Sequence, residues 1–240
     1  MKRARMQSSA SSRERGVVLV AILMAMLFLM ALGLALLLNT STEALVAAGF
    51  RSSRAAFYAA EAGIERVLPA LQQLADWSQA LSGGALSSFV DGPPGGVRSI
   101  PGGGMVDLVR VQNLLNCGQE SGCTPAEMDV IREERQWGRN NPRWTLYGYG
   151  PLETLLPPGA IRSPFYIVVF VADDPAENDD DPARDGTAPG NPGAGVVRLR
   201  AEAFGPGGSH RAVEATAARE RPIDPTQPAA VRLRSWRDIR

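Results

Sequence analysis

The chain has 240 residues, 45% of them hydrophobic, and its 25 basic side chains are balanced by 25 acidic ones. That length allows one or two domains with a buried core, and zero formal charge argues against a nucleic-acid binder held by bulk electrostatics. The apolar residues are unevenly spread: residues 17–38 form a run of 22 in which 21 are hydrophobic, which fits neither a cytosolic enzyme nor a multi-span transporter.

As a helix this run rises roughly 33 Å, enough to cross the hydrocarbon core of a bilayer, so residues 17–38 are predicted to be a transmembrane helix. Upstream stand Lys2, Arg3, Arg5, Arg13 and Arg15 against the single acid Glu14. The positive-inside rule then keeps the N-terminus in the cytoplasm and places the chain beyond Leu38 outside. A secretory signal peptide fits less well, because its apolar region normally runs about 7 to 15 residues and ends at a small-x-small site. Here the run is longer and continues into Asn39-Thr40-Ser41-Thr42-Glu43. A plain signal anchor stays open.

The helical pattern continues past the apolar run. Val46, Phe50, Phe57, Ala60, Ile64, Val67, Leu71 and Leu74 recur at spacings of three, four and seven, which is one apolar stripe on a helix. Thr42, Glu43, Arg51, Arg54, Glu65 and Arg66 lie off it. Gly49, Gly63 and Pro69 are expected bends, Pro69 the sharpest. The spacing predicts one long helix over residues 17–81, about 90 Å at ideal rise.

The basic leader ending in Arg15-Gly16, the apolar run that begins at once, the Thr-rich residues at its end, and the stretch Phe57-Tyr58-Ala59-Ala60-Glu61-Ala62-Gly63-Ile64 together resemble the N-terminal region of PilX-type minor pilins. The likeness covers about residues 13–70, and the AFYAAEAGIE stretch is its most specific part. It implies a type IV pilin-like α+β fold, a leader over residues 1–16, cleavage after Gly16 by prepilin peptidase and methylation of the new N-terminus at Val17. It further implies residence in the inner membrane with the N-terminus in the cytoplasm, then assembly through the helix into a type IV pilus near its tip, with the head in the periplasm or outside the cell. The implied partners are other pilins and minor pilins, prepilin peptidase and the inner-membrane assembly platform. On this reading Phe50, Phe57, Ala60, Ile64 and Leu71 pack the helix, and Glu61 makes a polar contact to the head or to a neighbouring subunit.

Two positions depart from the major-pilin pattern: Val17 stands where most mature chains begin with Phe, and Ala21 stands where they carry Glu. That carboxylate would pair with a neighbour's amino terminus in low dielectric, and Ala21 has no such group. Its absence argues against a repeating shaft role and agrees with PilX-like and GspK-like minor subunits. A GspK-like minor pseudopilin of a type II secretion system, and a non-polymerising single-pass anchored binding protein, therefore remain open alternatives. The GspK kind is expected to carry a larger helical head than a single helical insert would give.

From residue 82 the composition turns to Gly-rich punctuation, with Ser82-Gly83-Gly84, Gly92-Pro93-Pro94-Gly95-Gly96 and Pro101-Gly102-Gly103-Gly104 as turns. Short β-like runs occupy 97–100, 105–111, 144–149, 165–171, 196–204 and 211–218, the last two flanking Gly205-Pro206-Gly207-Gly208-Ser209 as a hairpin. A helical insert is predicted over 125–136, entered through a Thr124 cap. Residues 82–220 thus read as an α+β head in which an antiparallel sheet buries the outer half of the helix stripe. Residues 221–240, with Pro222, Pro225, Pro228, Arg232, Arg234, Arg237 and Arg240, read as a basic tail, disordered or docked on an acidic partner.

Cys117 and Cys123 are the only cysteines. In an oxidising compartment they are expected to form a small disulfide loop worth about 2 to 3 kcal/mol; free thiols or a redox pair are the alternative, and zinc would need more ligands than one distant His supplies. Residues 173–186 carry seven acids against one Arg, a local charge of minus six. Hard oxygen ligands on one loop suit calcium, which takes six to eight oxygens at about 2.3 to 2.6 Å. A structural calcium ion held by Asp173, Asp179, Asp181 and Asp185 is one expectation, and a solvated acidic loop the other.

No catalytic motif is present, His210 reads as a solvated turn residue, and an enzyme is not expected. Trp137, Trp144, Tyr147 and Tyr149 offer either an adhesive surface or, more commonly for such residues, core and strand positions.

Overall fold

The computed structural model describes residues 11–155, 162–177, 179–186, 190–220 and 229–239, in two compact units that divide between Arg51 and Ser52. Helix α1, Ser11–Gln73, is assigned as a single element. Its apolar run is rich in Leu, Ala and Met, all strong helix formers.

In the first unit every side chain over residues 16–51 is exposed. Thr40 and Thr42 turn their hydroxyls back onto the carbonyls of Leu36 and Leu38, so the polar residues that end the apolar run satisfy their hydroxyls within the helix. One helix of the described chain is long and apolar enough to cross a membrane.

In the second unit α1 carries Ala56, Ala59, Ala60, Ile64, Val67 and Leu71, all buried. Gly63 is a contact position within α1: a Cβ there would lie 2.6 Å from Ile167 Cγ2 and 3.3 Å from Val169 Cγ2. The row of small residues lets the helix approach the strands beneath it.

The helix also ends earlier than the predicted residue 81. After Gln73 the chain leaves helical geometry, and a separate turn, α2 (Ser78–Leu81), succeeds it. Pro69, in the penultimate turn, lacks an amide donor, and the carbonyls at and just past the helix end find partners from elsewhere. Trp77 Nε1 donates to Leu71 O at 2.9 Å, while Arg219 donates to Ala75 O at 2.7 Å and Leu74 O at 2.9 Å. Arg219 also lies 4.5 Å over the Trp77 ring, so one long-range arginine caps the helix.

A small hairpin, β1 (Val97–Ser99) and β2 (Met105–Asp107), comes next. The strand predicted over 105–111 stops at Asp107, whose carboxylate accepts from the amides of Val109 and Arg110 and so starts helix α3, Leu108–Cys117. Gly118 closes α3 in the left-handed region at φ 74°. The Cys117–Cys123 disulfide forms as expected, with Cα atoms 5.8 Å apart. It leads into α4, Pro125–Met128, where Thr124 and Glu127 make a reciprocal capping box. The predicted insert is thus shorter than 125–136. Beyond Met128 the chain is held by Arg135, which donates to the carbonyls of Leu115, Met128 and Pro142.

Five strands then form one antiparallel meander in chain order: β3 (Thr145–Pro151), β4 (Tyr166–Asp173), β5 (Val196–Phe204), β6 (His210–Glu220) and β7 (Ala230–Ile239). One face packs on α1 through Ile167, Val169, Val171, Val197, Leu199, Ala201, Val213 and Ala217. The opposite face of β3 and β4, with Trp144, Leu146, Tyr149, Tyr166, Val168 and Phe170, is covered by Ile100, Val106 and Leu108. Strand β4 is therefore buried at all eight positions, and its near-continuous apolar sequence replaces the alternation of a half-exposed strand. Trp144, Tyr147 and Tyr149 belong to this core; Trp137 alone of the four aromatics is exposed.

Strand β7 corrects the reading of residues 221–240. Positions 230–239 pair with β6 along its length, and Trp236 meets Phe57 edge-on at 5.1 Å. Arg237 pairs with Glu214, and Arg232 and Arg234 with Glu220, so these basic groups serve the chain's own sheet. Arg221, Pro222, Pro225, Pro228 and Arg240 lie outside the described residues.

Candidate functional site

Two groups of buried carboxylates lie in the second unit, and they differ in how their charge is met. On the outer face of β5, β6 and β7, Glu214 accepts from Arg198 at 2.7 Å, Arg200 at 2.8 Å and Arg237 at 2.6 Å. Glu202 pairs with Arg200 at 2.7 Å and with His210 Nε2 at 3.0 Å. His210 follows the hairpin turn and is exposed, as expected, and it is also tied to the sheet and stacked on Phe204 at 4.6 Å. Burial opposes both charges, yet the facing cations prevail and hold both carboxyl groups below the usual value.

The second group sits where β4 runs into the acidic loop. Asp173 is the last residue of β4, opposite Val197 of β5, and is 4% exposed. A tight turn begins there: Asp174 O accepts from Glu177 N at 3.0 Å, and Asp174 Oδ1 from Ala176 N at 3.2 Å. With Pro175 inside it, this turn folds Glu177 back beside Asp173, and Glu177 is 1% exposed. Gly186 N donates to Glu177 Oε2 at 2.9 Å. A Cβ on Gly193 would lie 2.4 Å from Glu177 Cγ, and one on Gly186 would lie 2.6 Å from Glu177 Oε2. Two glycines are thus required for the loop to close over this one side chain.

Asp173, Glu177 and Asp179 each present a carboxylate oxygen within 4.8 Å of the others. Asp173 Oδ1 and Glu177 Oε1 are buried without a hydrogen-bond partner among the described residues. Burial, reinforced by Glu177 and by Asp185 and Asp179, pushes the Asp173 carboxyl up to about 9. Burial likewise raises Glu177 to about 7, against the pull of the Gly186 amide.

Of the four metal ligands expected from sequence, Asp173 and Asp179 come together and Asp181 and Asp185 do not join them. Asp181 accepts from Ala183 N and lies 3.5 Å from Arg184. Asp185 is spent on structure: its Oδ1 accepts from Gly195 N at 2.6 Å, and its own amide donates to Ser78 Oγ at 3.2 Å, fastening the loop to α2. Glu177 is the member that sequence reasoning misses. The Asp174-Pro175 turn signal marks where the chain doubles back toward Asp173.

The remaining expected site residues lie along α1. Gly16, Val17 and Phe50 are exposed, Phe57 is half-buried, and Ala60, Ile64 and Leu71 are buried against the sheet. Glu61 is half-buried and makes no ion pair with another described residue. Comparison with family models, with curated proteins and with solved structures gives no match for this chain.

Proposed function

We propose that the chain is a minor pilin-like subunit of a type IV pilus, cut after Gly16, methylated at Val17 and assembled through its N-terminal helix near the filament tip. One observation carries the reading. Side chains over residues 17–38, 21 of 22 hydrophobic, are exposed throughout, while the same helix element ends with Ala56, Ala60, Ile64, Val67 and Leu71 buried under an antiparallel sheet.

An unpartnered apolar helix of that length requires lipid, or other helices of its kind, around it. In the membrane the bilayer meets that need; in a filament, the helices of neighbouring subunits do. The basic leader keeps the N-terminus in the cytoplasm and the head outside, and the disulfide suits an oxidising compartment. Ala21 offers no carboxylate to a neighbour's amino terminus, which favours a single place at the tip over a repeating one.

Replacing Gly16 by leucine tests the proposal in cells that hold prepilin peptidase. The variant precursor is expected to keep its leader and to be missing from sheared filaments; processing and incorporation equal to wild type would overturn it.

A further inference from the structure

We propose that Asp173, Glu177 and Asp179 bind a calcium ion. The proposal stands on the loop's own geometry and is independent of the pilin reading.

The two carboxylate groups contrast in their compensation. Glu202 and Glu214 are buried and each has at least one arginine within 3 Å. Asp173 and Glu177 are more than nine-tenths buried, and no described cation forms an ion pair with either. The nearby arginines are committed elsewhere, Arg184 to Asp181 and Arg219 to the end of α1. An isolated buried carboxylate is too costly to leave uncompensated.

A proton relieves only one of the two groups: Asp173 Oδ1 and Glu177 Oε1 both lack a partner among the described residues, and one proton leaves a buried carboxylate charge beside it. A cation satisfies both oxygens and both charges at once.

The donor set selects the ion. The three carboxylate oxygens all lie within 4.8 Å of one another, close enough to share one cation with bonds of about 2.3 to 2.6 Å, the calcium range. Magnesium demands near-ideal octahedral geometry, which an irregular loop does not supply, and structural zinc favours nitrogen and sulfur donors. All the ligands are hard oxygens, and Asp179 is exposed, which leaves water to fill the remaining coordination positions. Bound there, calcium joins the end of β4 to the loop that Asp185 fastens to α2.

The test uses the full chain in detergent micelles, stripped with chelator and titrated with calcium chloride by calorimetry, with unfolding followed by circular dichroism. One ion is expected per chain, with the unfolding midpoint raised by about 3 °C or more at saturation and little response to equal magnesium. Asp179→Asn, a change at an exposed position, should weaken binding at least about tenfold, the loss of one charged ligand, and Asp173→Asn with Glu177→Gln should abolish it. Asp181→Asn should bind as wild type does. Absence of calcium uptake by the wild-type chain, an equal response to magnesium, or equal loss in Asp181→Asn and Asp179→Asn would overturn the assignment.

Discussion

Gly63 sets how closely α1 lies on the sheet, since its missing Cβ leaves room for Ile167 and Val169. Gly63→Leu would force those side chains or the helix apart, and overpacking of this kind costs roughly 1 to 3 kcal/mol. Thermal unfolding of the full chain in detergent should show a midpoint lowered accordingly; an unchanged midpoint would mean that the helix is not held at that distance. Glu214 is the counterpart on the other face. Buried yet facing Arg198, Arg237 and Arg200, it has its carboxyl held below the ordinary 4.5. The folded chain therefore binds fewer protons there than the unfolded chain, so the stabilisation is present above about pH 4.5 and disappears as pH falls through the folded value. Glu214→Gln should flatten the acid limb of a stability-against-pH curve. It should also cost roughly 3 kcal/mol at pH 7, because buried guanidinium groups lose their partner.

Elements whose signals are local can be read from the sequence. The hairpin of β5 and β6 is legible in the alternation around a Gly-rich turn, and α1 in its stripe. Helix α3 is not, because Val109 and Val111 continue the alternation of β2, while the decisive signal is the single N-cap at Asp107. Strand β7 is hidden by its charges: an edge strand keeps arginine along its exposed side, and that composition resembles a solvated tail. The end of α1 is not legible either, because the carbonyls of Leu74 and Ala75 just past it are held by Arg219, nearly 150 residues away in sequence. The acidic loop is visible as a cluster, but which carboxylates converge depends on the turn at Asp174 and on the close approach of Gly186 and Gly193. The disulfide between α3 and α4 closes a short loop and is expected to contribute about 2 kcal/mol. Replacing both cysteines by serine should lower the unfolding midpoint by a corresponding few degrees and speed amide exchange in 108–128 before the sheet; equal protection there would show that the capping box and Arg135 hold the segment alone.

At the scale of the whole molecule, one unit exposes an apolar helix and the other is a packed head in which the buried Glu202 and Glu214 are paired with arginine while, among the described residues, the buried Asp173 and Glu177 are not. Residues 17–38 are exposed throughout, and the proposed function depends on other helices or lipid covering them. Processing at Gly16 is the step that would release the helix from its basic leader for assembly, and it leaves a chemical mark. The most direct measurement is the N-terminal mass of the mature chain from cells with and without prepilin peptidase. The account predicts a chain beginning at N-methylated Val17 when the enzyme is present and an intact leader when it is absent; a chain that keeps residues 1–16 in both would contradict it.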